Sequence, residues 1–129
     1  MTLVGVWSAN VRHELNPQTD EILVFRPDGN GWGERLNYGV WEADTFEWGL
    51  TSPGWMYFAG KKHLAPDWNP RIIIESATVF DVHHTAWSVA EEDTPSGQRM
   101  KVLRVELPGY SHNTFGLLSA DSFSRAQPG

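Results

Sequence analysis

The chain has 129 residues, ten Lys and Arg against sixteen Asp and Glu, a formal net charge of -6 and no cysteine. Scattered basic residues in an acidic chain argue against nucleic acid or an anionic membrane as the main partner, since phosphate binding needs clustered Lys and Arg. Without thiols, disulfides and thiolate chemistry are excluded. The length fits a single domain, 1–129, able to bury a core without covalent staples. No basic leader followed by an apolar stretch opens the sequence, and no apolar run approaches membrane-spanning length. A soluble, cytoplasmic product is therefore expected unless a leader has been removed. Seven Trp, six Phe and three Tyr form an aromatic-rich set, which is core if packed together and the wall of a site if arranged around a hollow.

In chain order, residues 3–13 read as a first strand with Gly5, Trp7, Ala9, Val11 and His13 on one face. Asn16-Pro17-Gln18-Thr19-Asp20 is turn chemistry. A meander follows from Glu21 to Leu50: a strand over Glu21–Arg26, a turn at Pro27-Asp28-Gly29-Asn30, a long strand over Gly31–Trp41, a connection at Glu42-Ala43-Asp44 and a strand over Thr45–Leu50. Asp28-Gly29 between apolar runs signals a tight hairpin. A two-residue Asp28-Gly29 loop pairs Phe25 with Trp32 and sends Trp32, Glu34, Leu36, Tyr38 and Val40 inward. The next turn pairs Trp41 with Phe46, which has the opposite parity, and a bulge at Gly39 reconciles the two. Phe46, Trp48 and Leu50 share the buried face of the last strand.

Ser52-Pro53-Gly54 marks another turn, Trp55–Ala59 a compact aromatic strand, and Gly60–Pro70 the longest irregular stretch, a lid or a self-packed loop. Short strands follow at Ile72–Ile74, Thr78–Phe80 and Val82–Glu92. With Pro95-Ser96-Gly97 as a three-residue loop, Asp93 faces Arg99, Glu91 faces Lys101, Val89 faces Leu103, Trp87 faces Val105 and Thr85 faces Leu107. Opposite charges and apolar groups then meet in register, with His83, Thr85, Trp87 and Val89 inward. Pro108-Gly109 turns the chain, and Thr114–Leu118 and Ser122–Ala126 supply closing strands. No stretch has convincing helical periodicity. Eight or nine short strands at spacings of roughly 8 to 12 residues describe an all-β antiparallel fold, and the sequential hairpins favour an up-and-down barrel.

Leu3-x-Gly5-x-Trp7, Phe25-x-x-Asp28-Gly29-x-Gly31 and Phe46-x-Trp48 together resemble the small lipocalin-like domains of the calycin group, over roughly the first 60 residues and beyond them in strand count only. The resemblance implies an antiparallel barrel whose cup takes a small, mostly apolar molecule, with Trp7 as a structural plug at the closed end. Having neither disulfide nor leader, the chain resembles the intracellular bacterial type. That group spans binders, enzymes and domains of unknown role, so the fold does not settle function.

For chemistry, His83 and His84 are neighbours on a strand and point to opposite faces, so they cannot share one ion. His83, inward beside Trp87, suits proton donation or holding a polar ligand group, the alternative being a core histidine paired with a carbonyl. His63 and His112 fall in loops, without metal-ligand spacing. No metal or cofactor is expected, a haem on His63 or His83 being the remaining alternative. Glu34 is an inward carboxylate or a solvated rim partner of Arg35. Asp28-Gly29-Asn30-Gly31 is only a fragment of a calcium loop, and neither a phosphate loop nor a Gly-x-Ser-x-Gly elbow occurs.

The leading expectation is binding of a small hydrophobic or aromatic molecule inside the barrel, with Phe25, Tyr38, Trp48, Tyr57, His83 and Trp87 as its wall. A cofactor-free cyclase or isomerase using His83, Glu34 or Tyr38 in the same cavity is the alternative. A third reading is a protein-interaction module or homodimer with a filled barrel, using Trp55, Trp68 and the 60–70 loop.

Overall fold

The computed structural model describes residues 2–14, 16–66, 73–76 and 81–128. The first strand is short, β1 (Gly5–Ser8), and a single helical turn, α1 (Ala9–His13), takes over where a continued strand was expected. The reason is a cap. Ser8 Oγ accepts the Val11 amide, Glu14 closes the turn in the left-handed region, and the Asp20 carboxylate holds both Ser8 Oγ and the Asn10 amide.

Eight strands then follow: β2 (Thr19–Phe25), β3 (Asn30–Asn37), β4 (Val40–Ser52), β5 (Trp55–Pro66), β6 (Ile73–Ser76), β7 (Val82–Asp93), β8 (Arg99–Val105) and β9 (Thr114–Ser119). All pairings are antiparallel, each ring strand lies beside its neighbour in sequence, β1 pairs with β9, and β4 pairs with β5, so that the sheet closes into a barrel-like ring with β6 outside it on the end of β5. This is the expected all-β antiparallel, up-and-down ring. Closure gives every ring strand a partner on both sides along at least part of its length.

The meander departs from expectation in parity. The first hairpin uses a three-residue loop, Pro27-Asp28-Gly29, with Arg26 N–H donating to Asn30 O and Gly29 at φ 87°, so Phe25 pairs with Gly31 and Val24 with Trp32. One residue of difference turns every side chain of β3 over. Trp32, Glu34 and Leu36 face outward, and Gly31 and Gly33 face inward. Both glycines are needed: a Cβ on Gly31 would lie 2.6 Å from Phe46, and one on Gly33 would lie 2.3 Å from the Tyr110 hydroxyl. The bulge expected at Gly39 is instead a two-residue turn, with Tyr38 and Gly39 both at positive φ and Asn37 paired with Val40. Trp41 therefore pairs with Leu36 and Phe46 with Gly31, and the expected Glu42-Ala43-Asp44 connection is strand interior.

Two further stretches differ. Gly60–Pro66 is not irregular but the second half of β5, paired with β4 around a bulge at Thr45/Phe46. Ser122–Ser124 is a short 3-10 turn rather than a closing strand, because β1 already occupies the edge of β9. The expected strand at 78–80, Ile72, and Trp68 with the rest of 67–70 lie outside the described residues. The β7–β8 hairpin has the expected register from Asp93–Arg99 through Trp87–Val105, with Gly97 at φ 86°. Its last expected pair, Thr85 with Leu107, does not form because β8 ends at Val105.

Inside the ring, Trp7, Leu23, Phe25, Phe46, Met56, Phe58, Leu103 and Phe115 form one buried cluster. Phe46 and Phe58 meet edge to face at 4.9 Å, and Phe25 lies 5.9 Å from each, so this end of the barrel is filled rather than hollow. A second, smaller cluster of Val6, Ile22, Val24 and Trp32 lies on the outer face of β1–β3. The chain's last residues cover it. The Arg26 guanidinium sits between the rings of Trp32 and Phe123, 4.8 and 4.5 Å from their centres, and Arg125 grips Glu34 with two nitrogens.

Candidate functional site: a cleft beside the seventh strand

The ring has one weak seam. The first half of β7 pairs with β5 from Ala59–Val82 to Trp55–Ala86, but on its other side the ladder to β8 stops at Trp87–Val105. The chain leaves β8 there, loops through Glu106–Asn113 and returns to β9, with Val105 N–H bonded to Asn113 O at 3.0 Å. Between β7 and this loop lies a cavity of about 560 Å³ bordered by Trp55, His83, Thr85, Trp87, Val105 and Asn113. A second, of about 320 Å³, shares His83, Glu106 and Asn113 with it and runs under the loop to Tyr110 and His112.

Two ring nitrogens distinguish this seam. Trp87 Nε1 and His83 Nε2 are buried and have no hydrogen-bond partner among the described residues. A buried donor left unpaired costs about 1–3 kcal/mol, so such atoms are rare without a reason. Four other indoles are satisfied: Trp7 donates to Leu3 O at 2.9 Å, Trp48 to the carbonyls of Arg26 and Asn30 at 3.1 Å, and Trp32 and Trp41 to Glu34 at 2.9 and 2.8 Å. An indole N–H can only donate, so Trp87 asks for an acceptor. Arg104, also on the cleft, is already paired with Glu92 through two nitrogens.

At the adjoining end of the ring sits a polar network. Buried Asp44 accepts from His63 Nδ1 at 2.8 Å and from the Tyr110 hydroxyl at 3.0 Å, while Arg35 bridges Glu42, at 3.1 Å, and the carbonyl of Gly109, at 3.1 Å. Burial, then the charge of Asp44 and its hydrogen bond, push the Tyr110 hydroxyl well above the usual tyrosine value, so it keeps its proton and acts as a donor. Glu21 accepts four bonds, from the amide and hydroxyl of Ser111 and from the amide and Nδ1 of His112. His13 stacks beside His112 at 5.3 Å. Burial, followed by the charge of His112, lowers the His13 pKa.

Of the residues singled out in the sequence, His83 and Trp87 come together at the cleft. Phe25 is sealed in the filled core, and Trp48 packs edge-on against it at 5.4 Å. Trp7 is buried in the same cluster. Three expectations of an inward position are corrected. Tyr38 is 64% exposed in a turn; Tyr57 points outward, its ring over Gly49 and beside His84; Glu34 is buried on the outer face, not in a cavity. Burial alone would raise the Glu34 pKa, but the hydrogen bonds of Arg125, Trp41 and Trp32 outweigh it and hold the carboxyl below the usual glutamate value. Of the three alternative acid-base candidates, His83 borders the cleft, while Glu34 and Tyr38 lie elsewhere on the outside of the ring. Of the two histidines considered as haem ligands, His63 gives Nδ1 to Asp44 and His83 stands at the cleft.

Sequence reading missed Asp44, His63, Tyr110, His112 and Glu21 as a group, because they come from β2, β4, β5 and the Glu106–Asn113 loop, far apart in the chain. The one local signal was an acid, Glu21, heading the apolar run Ile22–Phe25 and buried with it. Among the described residues no helix is long and apolar enough to cross a membrane, and no group of three or more His, Asp and Glu is arranged to hold a metal ion. Searches of protein-family models, curated proteins and solved structures find no match to this chain.

Proposed function

We propose that the protein binds a small, planar, largely apolar molecule bearing a hydrogen-bond acceptor, seated in the cleft between the first half of β7 and the Glu106–Asn113 loop. The observation that carries this is the pair of buried, unpartnered nitrogens, Trp87 Nε1 and His83 Nε2, on two side chains that border the cavity of about 560 Å³. Ligand sites are mostly apolar with a few convergent polar groups, and a polar atom kept dry and unpaired in the free protein is one that a ligand can satisfy. Arg104 is neutralised by Glu92, which favours an uncharged acceptor such as a carbonyl or ring nitrogen. The volume, about 560 Å³, suits a molecule of one to three fused rings. The closed antiparallel ring and the Gly5-x-Trp7 and Asp28-Gly29-x-Gly31 motifs support placing the chain near the lipocalin-like domains, with the site moved from the cup to the wall.

The test is tryptophan fluorescence titrated with a panel of neutral aromatic ketones and fused-ring heterocycles, against Trp87→Phe and His83→Ala. Saturable binding that weakens about fivefold to tenfold in Trp87→Phe, the loss of one hydrogen bond, is expected. If affinities are equal in all three proteins, or no compound of the panel binds, the proposal fails.

A further inference from the structure

We propose that Glu106–Asn113 is a hinged flap latched to the barrel by Glu21, and that a ligand reaches the cleft when the flap opens; the access clause rests on the binding reading above, the flap itself does not. The segment's ends meet at a neck, Val105 N–H to Asn113 O, and within it the backbone makes one bond among the described residues, Tyr110 N–H to Leu107 O at 3.2 Å. A loop closed at its neck and packed by its own side chains can move as a unit.

Its attachments are one-sided. Glu21 on β2 takes four hydrogen bonds from Ser111 and His112, Asp44 on β4 takes the Tyr110 hydroxyl, and Arg35 on β3 reaches Gly109 O. Toward β7 the loop makes no hydrogen bond among the described residues; the two seam cavities lie on that side, and a third, of about 540 Å³, lies on the latched side between Gly109, Ser111 and His112 and the strands β2, β3 and β4. A segment tied along one margin, free along the other and joined at a narrow neck has the geometry of a flap. Leu107 and Tyr110 are its plugs, the first buried in the core and the second seated over Gly33, where any Cβ would collide with the hydroxyl.

Glu21 is the keystone because one carboxylate, 7% exposed, closes four of these bonds. A carboxylate only accepts, so His112 must present Nδ1–H to it. Asp20, Arg35, Glu42 and His13 are the other charged or titratable groups around the latch.

Amide hydrogen exchange on the full chain tests the flap. In Glu21→Gln the amides of Ser111 and His112 are expected to exchange at least tenfold faster than in the parent, with the Trp87–Asp93 ladder within twofold. Gly33→Ala, which unseats Tyr110 without changing charge, should give the same pattern, and Ser111→Ala a rise of about threefold. Loop amides that do not change, or that change in step with the ladder, overturn the flap, since the segment then opens only with the whole fold. Access is read with 6-propionyl-2-(dimethylamino)naphthalene, a neutral aromatic ketone: Glu21→Gln should raise its association rate constant about fivefold with the dissociation constant nearly unchanged. An unchanged association rate overturns the access clause. A parent protein that binds neither this dye nor the aromatic panel overturns the binding reading, and the exchange pattern alone then decides the flap.

Discussion

The filled end of the ring and the seam beside β7 are built from the same kinds of residue and differ in how completely those residues are used. Around Phe25, Phe46 and Phe58 every ring meets another, and the neighbouring indoles of Trp7 and Trp48 have carbonyls to donate to. At the seam Trp87 and His83 are turned inward by the same period-2 pattern and border a cavity, yet their ring nitrogens are buried without a partner among the described residues. An aromatic residue is therefore not informative about function until its polar atom is accounted for. Hydrophobic burial tells where the core is, and unsatisfied hydrogen-bonding capacity tells where the core stops.

The contrast can be broken most forcefully by Phe46→Ala, which should cost about 3–5 kcal/mol in urea denaturation because the rings around it cannot collapse into the gap. The matching change at the seam, Trp87→Ala, should cost clearly less, since part of its surface already faces a cavity. Equal losses would mean that the seam is as tightly packed as the core. Next in size is Glu34→Gln, a buried group with all its partners, expected to lose about 1.5–3 kcal/mol at neutral pH. Because the folded pKa of Glu34 is depressed, its contribution is complete above the unfolded-chain value and disappears as pH falls through the folded one. Denaturation midpoints of parent and variant should thus converge in acid, and a gap that stays constant down to about pH 3 would refute the assignment.

A paired comparison of indoles sharpens the point at smaller scale. Trp7→Phe deprives the buried Leu3 carbonyl of its partner and should cost about 1–3 kcal/mol, whereas Trp87→Phe removes a donor that has none and should cost under about 1 kcal/mol or even stabilise. The smallest effect concerns His13. Its folded pKa is lowered by burial and by His112, so the unfolded chain takes up the proton first and stability falls as pH drops through the histidine range. His13→Asn should flatten that limb of the pH–stability curve, and a variant with the same slope as the parent would show that His13 does not contribute it.

Much of the ring was legible where several local signals agreed. In β7–β8, Asp93–Arg99 and Glu91–Lys101 pair by charge while Val89–Leu103 and Trp87–Val105 pair by apolarity, and the three-residue loop with Gly97 permits only that register. This is why His83 and Trp87 were found. In β2–β3 the parity hung on one residue of loop length, and Pro27-Asp28-Gly29 in place of Asp28-Gly29 alone moved Glu34 from the inside to the outside. The helical turn at Ala9–His13 was hidden for another reason: one turn has no periodicity to read, and its cap Ser8 is fixed by Asp20 from another element. Tyr110 had no signal at all beyond a turn at Pro108-Gly109, since its partner Asp44 and its seat Gly33 are far away in the chain.

By itself the amino-acid order determined an antiparallel all-β chain, most of the places where it turns, and which face of β7 is buried, because alternation and turn chemistry act between near neighbours. Only the tertiary structure decided where the ring closes, that its aromatic end is solid, and that the interruption of one ladder leaves a cleft bordered by two side chains with unpaired ring nitrogens. Those outcomes depend on which distant side chains compete for the same space and the same hydrogen bonds, and no local pattern carries that information.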